Sequence, residues 1–172
     1  MAGNTDYSLP APELDGEPNV LIVVAPYYKD IADQLLEGAQ AAITSAGGTF
    51  EMVEVPGALE VPGAIRLARR HADFDAFVGL GCVIRGETSH YEIVAGDSAR
   101  GLSQLALEGV PVGNGILTVE THEQAAVRAD PQGQNKGGGA AEAALHLLAL
   151  SQKWQDDKPS VGFLPMGNRA GD

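Results

Sequence analysis

Arg85-Gly86-Glu87-Thr88-Ser89-His90 gathers a cation, a glycine, an acid, two hydroxyls and an imidazole into one short stretch. An apolar run from Ala76 to Ile84 precedes it and reads as a strand, and the residues after it read as a helix. Ser89-x-x-Glu92 has the spacing of a capping box, which places His90 at the helix start. Strand, polar loop and helix N-terminus together form an arrangement suited to anions, because unpaired backbone N–H groups and the positive end of the helix dipole favour a phosphate. A histidine there can also move protons near neutral pH. The same residues fit a capped helix carrying a solvent-facing histidine, and this segment alone does not decide between the two.

A second segment has the same form. Val55-Pro56-Gly57-Ala58-Leu59-Glu60-Val61-Pro62-Gly63-Ala64 follows the strand-like Phe50–Val55 and opens a helix-like run. Tyr27 and Tyr28 follow the apolar Val20–Ala25 and can either cap a core or offer a stacking surface to a heteroaromatic ring. Other candidates are weaker. Gly133-Gln-Asn-Lys-Gly-Gly-Gly139 looks like a phosphate loop but lacks the spacing and hydroxyl of a Walker A motif, and a helix–helix linker fits it better. Gly79-x-Gly81 and Gly113-x-Gly115 lack the third glycine of a dinucleotide fingerprint. Cys82 sits in an apolar strand and reads as inert core. His71, His90, His122 and His146 are scattered, and His122-Glu123 has no second histidine at zinc-binding spacing, so no metal is expected.

The elements that position these groups follow from hydrophobic spacing. Val20–Ala25 is a strand buried on both faces. Ile31, Leu35, Ala39 and Ile43 recur at helical spacing behind Asp30 as N-cap, and Gly47-Gly48 ends that helix. Val61, Ile65 and Ala68 mark a second helix with Pro62 in its first turn. The helix after His90 runs to about Glu108, with Val94, Ser98, Leu102 and Leu105 on one face. Val110–Thr118 is the fourth strand, Thr121-x-x-Gln124 opens a short helix to Ala129, and Gly138–Lys153 is the last helix. Strands alternating with helices imply an α/β fold, a three-layer sandwich around a four-stranded parallel sheet with flavodoxin-like architecture. In such folds ligands sit outside the carboxyl ends of the strands, where the loops holding Tyr27, Gly57–Glu60, Arg85–His90 and Thr118–Glu120 gather.

Residues 1–19, with Pro10, Pro12 and Pro18, read as an extended arm, 20–153 as the folded domain that carries the candidate groups and 154–172 as a polar tail. The 172 residues suit one domain, and 44% hydrophobic with 20% charged residues is ordinary globular composition. No apolar run approaches a membrane span, and Met-Ala-Gly-Asn-Thr-Asp has no secretory character. One cysteine excludes an internal disulfide framework and fits a reducing, cytoplasmic setting. The net charge of −12 argues against nucleic acid or anionic membrane as partner. A phosphorylated substrate would then need a local positive site, for which Arg85, Arg128 and Lys136 are the candidates.

Taken together, VPGALEVPGA and GCVIRGETSHYEIV closely resemble the lumazine synthase family. The resemblance runs from about Leu21 to Lys153 and takes in Leu35-Leu36-Glu37-Gly38-Ala39, Gly115-Ile116-Leu117-Thr118-Val119-Glu120 and Asn135-Lys136-Gly137. It implies condensation of 5-amino-6-(D-ribitylamino)uracil with 3,4-dihydroxy-2-butanone 4-phosphate to 6,7-dimethyl-8-ribityllumazine, in riboflavin biosynthesis and without a cofactor. By the same resemblance His90 transfers protons, while Glu87, Thr88 and Arg128 hold the phosphate with help from Lys136. Tyr27 stacks on the pyrimidine, and Ala58, Leu59, Glu60, Cys82, Val83 and Ile84 line its edge and the ribityl chain. Asn114 closes the pocket from a neighbouring subunit of a homopentamer, in a family that includes stacked rings and sixty-subunit shells. Tyr27 stands where many members carry Phe or Trp, which keeps an aromatic face, and Asn114 replaces a common Phe, which removes one. Two other readings differ in class. A flavodoxin-like electron carrier lacks its phosphate loop here, since strand one is followed by Ala25-Pro26-Tyr27-Tyr28-Lys29-Asp30; a non-catalytic flavin-binding or shell protein on the same fold is opposed by the presence of His90 and Arg128.

Overall fold

A computed structural model of the chain describes residues 9–156. Strand β1 (Asn19–Val24) leads to α1 (Lys29–Ser45) and β2 (Thr49–Glu54); a 3-10 turn (Ala58–Glu60) then opens α2 (Val61–His71). After β3 (Ala76–Ile84) come α3 (His90–Leu107), β4 (Val112–Val119), α4 (His122–Ala129) and α5 (Lys136–Asp156). All pairings are parallel, in the order β2-β1-β3-β4, which is the flavodoxin-like winding. The expected α/β three-layer sandwich is therefore the observed one.

The two faces of β1 explain the layers. Val20, Ile22 and Val24 point to one side, into a core built with Ile31, Leu35 and Ile43 of α1, Ala125 and Ala129 of α4, and Ala141, Ala144 and Leu145 of α5. Leu21 and Val23 point to the other, against Val61 and Ile65 of α2 and Leu102 and Leu105 of α3. A strand with both faces covered cannot alternate apolar with polar residues, hence the unbroken Val20–Val24 run. Burying each Leu, Ile or Phe of these clusters stabilises the fold by about 1.5–3 kcal/mol before its ordering entropy is counted.

Several boundaries differ from the sequence expectation. Tyr28, not Asp30, is the N-cap of α1; Asp30 lies in the first turn, where its carboxylate meets His122 Nε2 at 2.9 Å. Ser89 caps α3 by position but makes no side-chain cap bond, because Glu92 turns to Arg85 instead of completing a capping box. The Thr121 box does form: Thr121 Oγ1 accepts from Gln124 N at 3.3 Å, and Gln124 Oε1 accepts from Glu120 N at 2.9 Å. Strand β4 starts at Val112, after Pro111, which has no N–H for a ladder. Helix α5 starts at Lys136 and ends at Asp156, so Trp154–Asp156 belong to it and not to a tail. Residues 1–8 and 157–172 of the expected arm and tail lie outside the described residues. Within the rest of the arm, Leu14 packs on the α1–α5 core, and Asp15 exchanges backbone hydrogen bonds with the Gln152 side chain at 3.0 and 3.1 Å. No helix among the described residues is long and apolar enough to cross a membrane.

Candidate functional site

At the carboxyl ends of β1, β2 and β3 lies a cavity of about 330 Å³. Tyr27 and Tyr28 wall it after β1, Pro56–Glu60 after β2, Cys82–Ile84 as the end of β3, and His90 and Val94 from the first turns of α3. Three strands of one parallel sheet all deliver their outgoing loops to the same edge, which is why segments far apart in sequence meet here. Tyr27, Ala58, Leu59, Glu60, Cys82, Val83, Ile84 and His90, all singled out from the sequence, share this one cavity. Pro56 and Val94 were missed as wall residues; Val94 read as core because it shares the helical spacing of Ser98 and Leu102.

The side chains differ in what they can do. Tyr27 is 75% exposed and packs edge-on against Tyr28, with ring centroids 5.1 Å apart, so one face of its ring is free for a planar ligand. Tyr28 in turn meets the His122 ring at 6.3 Å. Cys82 is buried, and desolvation, reinforced by the Asp30 carboxylate, pushes its thiol up to about 11. It is therefore a neutral wall atom near neutral pH rather than a nucleophile. Glu60 folds back so that a carboxylate oxygen lies 3.0 Å from where a Cβ on Gly57 would stand, and the glycine leaves that space open. His90 is exposed at the start of α3, and its backbone N–H lies 3.4 Å from Thr88 Oγ1.

The remaining sequence candidates do not line the cavity within a single chain. Glu87 and Thr88 are exposed in the loop leading to His90. Arg128 sits in the last turn of α4, where its guanidinium donates to Gln124 O at 2.9 Å and has no carboxylate partner among the described residues. Lys136 is exposed as the first residue of α5. Asn114 is exposed on β4 opposite Gly79, upstream of the cavity end of the sheet, and its side chain accepts from Ile116 N at 3.0 Å. Arg85, the third candidate for a free positive charge, is not free: it pairs with both Glu92 and Glu120. Among the described residues no group of three or more His, Cys, Asp or Glu could hold a metal ion.

Comparison with known sequences places the chain that carries this cavity in a family. The sequence model of the 6,7-dimethyl-8-ribityllumazine synthase family matches residues 17–152. The chain belongs to that family. A 6,7-dimethyl-8-ribityllumazine synthase of Jannaschia sp. (strain CCS1) is 50% identical over 167 residues, covering 97% of this chain and 94% of the relative. The proteins of the same name from Novosphingobium aromaticivorans and Methylorubrum extorquens (strain PA1) are 58% and 60% identical, over 78% and 77% of this chain and 96% and 80% of their own lengths. The alignment to the Jannaschia relative takes in most of the arm and tail, so the resemblance reaches beyond the Leu21–Lys153 stretch read from the motifs.

Proposed function

We propose that the cavity at the carboxyl edge of β1–β3 is where this chain, a transferase of riboflavin biosynthesis, condenses 5-amino-6-(D-ribitylamino)uracil with 3,4-dihydroxy-2-butanone 4-phosphate. The products are 6,7-dimethyl-8-ribityllumazine, phosphate and water. The observation that carries this reading is the meeting of Tyr27, Ala58–Glu60, Cys82–Ile84 and His90 around one cavity in a chain of this family. In the reaction an amine attacks a carbonyl, phosphate leaves, and a second amine closes the ring. Each step moves protons, and much of the acceleration comes from holding two reactants in register.

The positions support the following roles. Tyr27 stacks on the pyrimidine, the apolar wall of Ala58, Leu59, Val83 and Ile84 with Cys82 flanks it, and the Glu60 carboxylate accepts ribityl hydroxyls. His90, at the cavity rim, shuttles protons between the reacting amine, the carbonyl oxygen and the departing phosphate. The phosphate rests on the Glu87–Thr88 approach to the helix start, where backbone N–H groups and the dipole favour an anion, with Arg128 and Lys136 as its cations.

Arg128, Lys136 and Asn114 stand away from the cavity of their own chain, which supports a site completed by a neighbouring subunit in a pentameric ring. Leu67, Ile93, Leu107 and Val127, each more than half exposed, are apolar surface for such neighbours to cover. We favour a free pentamer or two stacked rings. Pro10, Pro12 and Pro18 make the arm a poor pairing strand, Leu14 packs on the core of its own chain, and Asp15 is hydrogen-bonded to Gln152 of α5. The compartment in this reading is the cytoplasm. Mixing the purified protein with both substrates and following lumazine fluorescence tests the activity; no fluorescence gain over the uncatalysed rate defeats it. Light scattering tests the assembly, and a particle near sixty subunits overturns the ring.

A further inference from the structure

Arg85 is the first residue after β3, and its backbone N–H donates to Val119 O at 2.9 Å, so its main chain is fixed in the sheet. Its side chain reaches across the loop that leads to His90. Nε lies 3.0 Å from both carboxylate oxygens of Glu120, one terminal nitrogen pairs with Glu92, and the guanidinium carbon stands 4.1 Å over the Tyr91 ring. Tyr91 and Glu92 are the two residues that follow His90 in the first turn of α3. Glu120 is itself held, since its N–H donates to Gln124 Oε1 at the start of α4. One planar fork thus ties the end of β3, the first turn of α3 and the end of β4 together, a geometry that a lysine could not reproduce.

Two physical points decide what this cluster is for. Exposed ion pairs contribute little to stability, and all three charged side chains here are at least a third exposed, so global stability is a poor account of it. One cation facing two carboxylates leaves no surplus positive charge for a phosphate, although Arg85 stands in the very loop that would bind one. We propose that Arg85 is a positioning residue: it fixes the first turn of α3, and through it the direction of the His90 imidazole, and it is not a phosphate ligand. This rests on the reading of His90 as the proton-transfer group.

A double-mutant cycle separates the possibilities. Arg85→Ala is expected to lower kcat on the order of tenfold to a hundredfold, the scale of a misplaced catalytic group, while the affinity for inorganic phosphate stays unchanged. In the His90→Ala background the same substitution should cost almost nothing more, because no imidazole remains to be placed. Multiplicative losses in the double mutant, or a phosphate affinity that falls with Arg85→Ala, would overturn the proposal. If His90→Ala alone turns over like wild type, the catalytic reading fails first and the clamp with it, a result distinct from multiplicative losses. Should Arg85→Ala not fold, Glu120→Gln removes one charge of the clamp at nearly constant shape. It is expected to lower kcat only when His90 is present, and an equal loss without His90 overturns the proposal.

Discussion

Two glycine-bearing segments look alike in the sequence, Arg85-Gly86-Glu87-Thr88 before α3 and Asn135-Lys136-Gly137-Gly138 at the start of α5, and each could be taken for a phosphate loop. The structure treats them oppositely. Around Gly86 there is open space, with no atom within 4 Å of where a Cβ would be. Gly137 is shut: a Cβ there would run into the carbonyl of Leu35 in α1, and one on Gly113 of β4 would strike the backbone of Ala140 in α5. Asn135, at a positive φ of 46°, accepts from Gly138 N at 3.1 Å and caps the helix. Glycine at α5 admits another stretch of backbone, whereas glycine before α3 leaves room that a ligand can use. Spacing in a sequence does not tell these apart, because the neighbour that fills the gap comes from elsewhere in the chain.

Substitutions can break that contrast. Gly137→Ala should have the largest effect, since neither helix backbone can yield cheaply: a loss of about 3 kcal/mol or more is expected, within the range of severe overpacking. Denaturant melts measure it, and a Gly137→Ala protein as stable as wild type would show that α1 and α5 are not in backbone contact. His90→Ala should slow turnover on the order of tenfold to a thousandfold with the fold intact. Circular dichroism beside the fluorescence assay checks both halves, and unchanged turnover removes His90 from the mechanism. Arg128→Ala should weaken the butanone phosphate by about 1.5–3 kcal/mol, the size of a hydrogen bond to a charged group, and leave the pyrimidine nearly untouched. Equal weakening of both ligands in calorimetric titration would place the phosphate elsewhere. Gly86→Ala should be the mildest, with stability changed by no more than about 0.5 kcal/mol and a measurable drop only in phosphate binding. A stability loss there would mean that this loop too is packed from within.

The same contrast explains what could be read from the sequence. Local patterns with a single cause were legible. The apolar run of β3 gave its bounds, Ala76–Ile84, and the order of strands and helices gave the carboxyl edge on which Tyr27, Glu60 and His90 converge. Features set by side-chain partners outside the local spacing pattern were not. Asp30 looked like a cap because short acids cap helices, but His122 from α4 claims it. Glu92 looked like half of a capping box, but Arg85 offers it a full charge. Lys136 and Gly137 read as the end of a helix–helix linker, yet both belong to α5, and at Gly137 the backbone of α1 allows nothing larger. Arg85 itself read as free charge, since nothing local announced that Glu120 would meet it.

The closeness of α1 to α5 has a consequence for how the chain comes to be folded. These helices pack on one face of the sheet although three strands and three helices are synthesised between them. Until α5 has left the ribosome, α1 lies on its side of the sheet without Ala141, Ala144 and Leu145 to close that core, whereas α2 and α3 can already close the opposite face. The nascent chain is therefore expected to pass through a stage in which one core is incomplete and partly open to solvent, and that side is where a chaperone would be expected to bind.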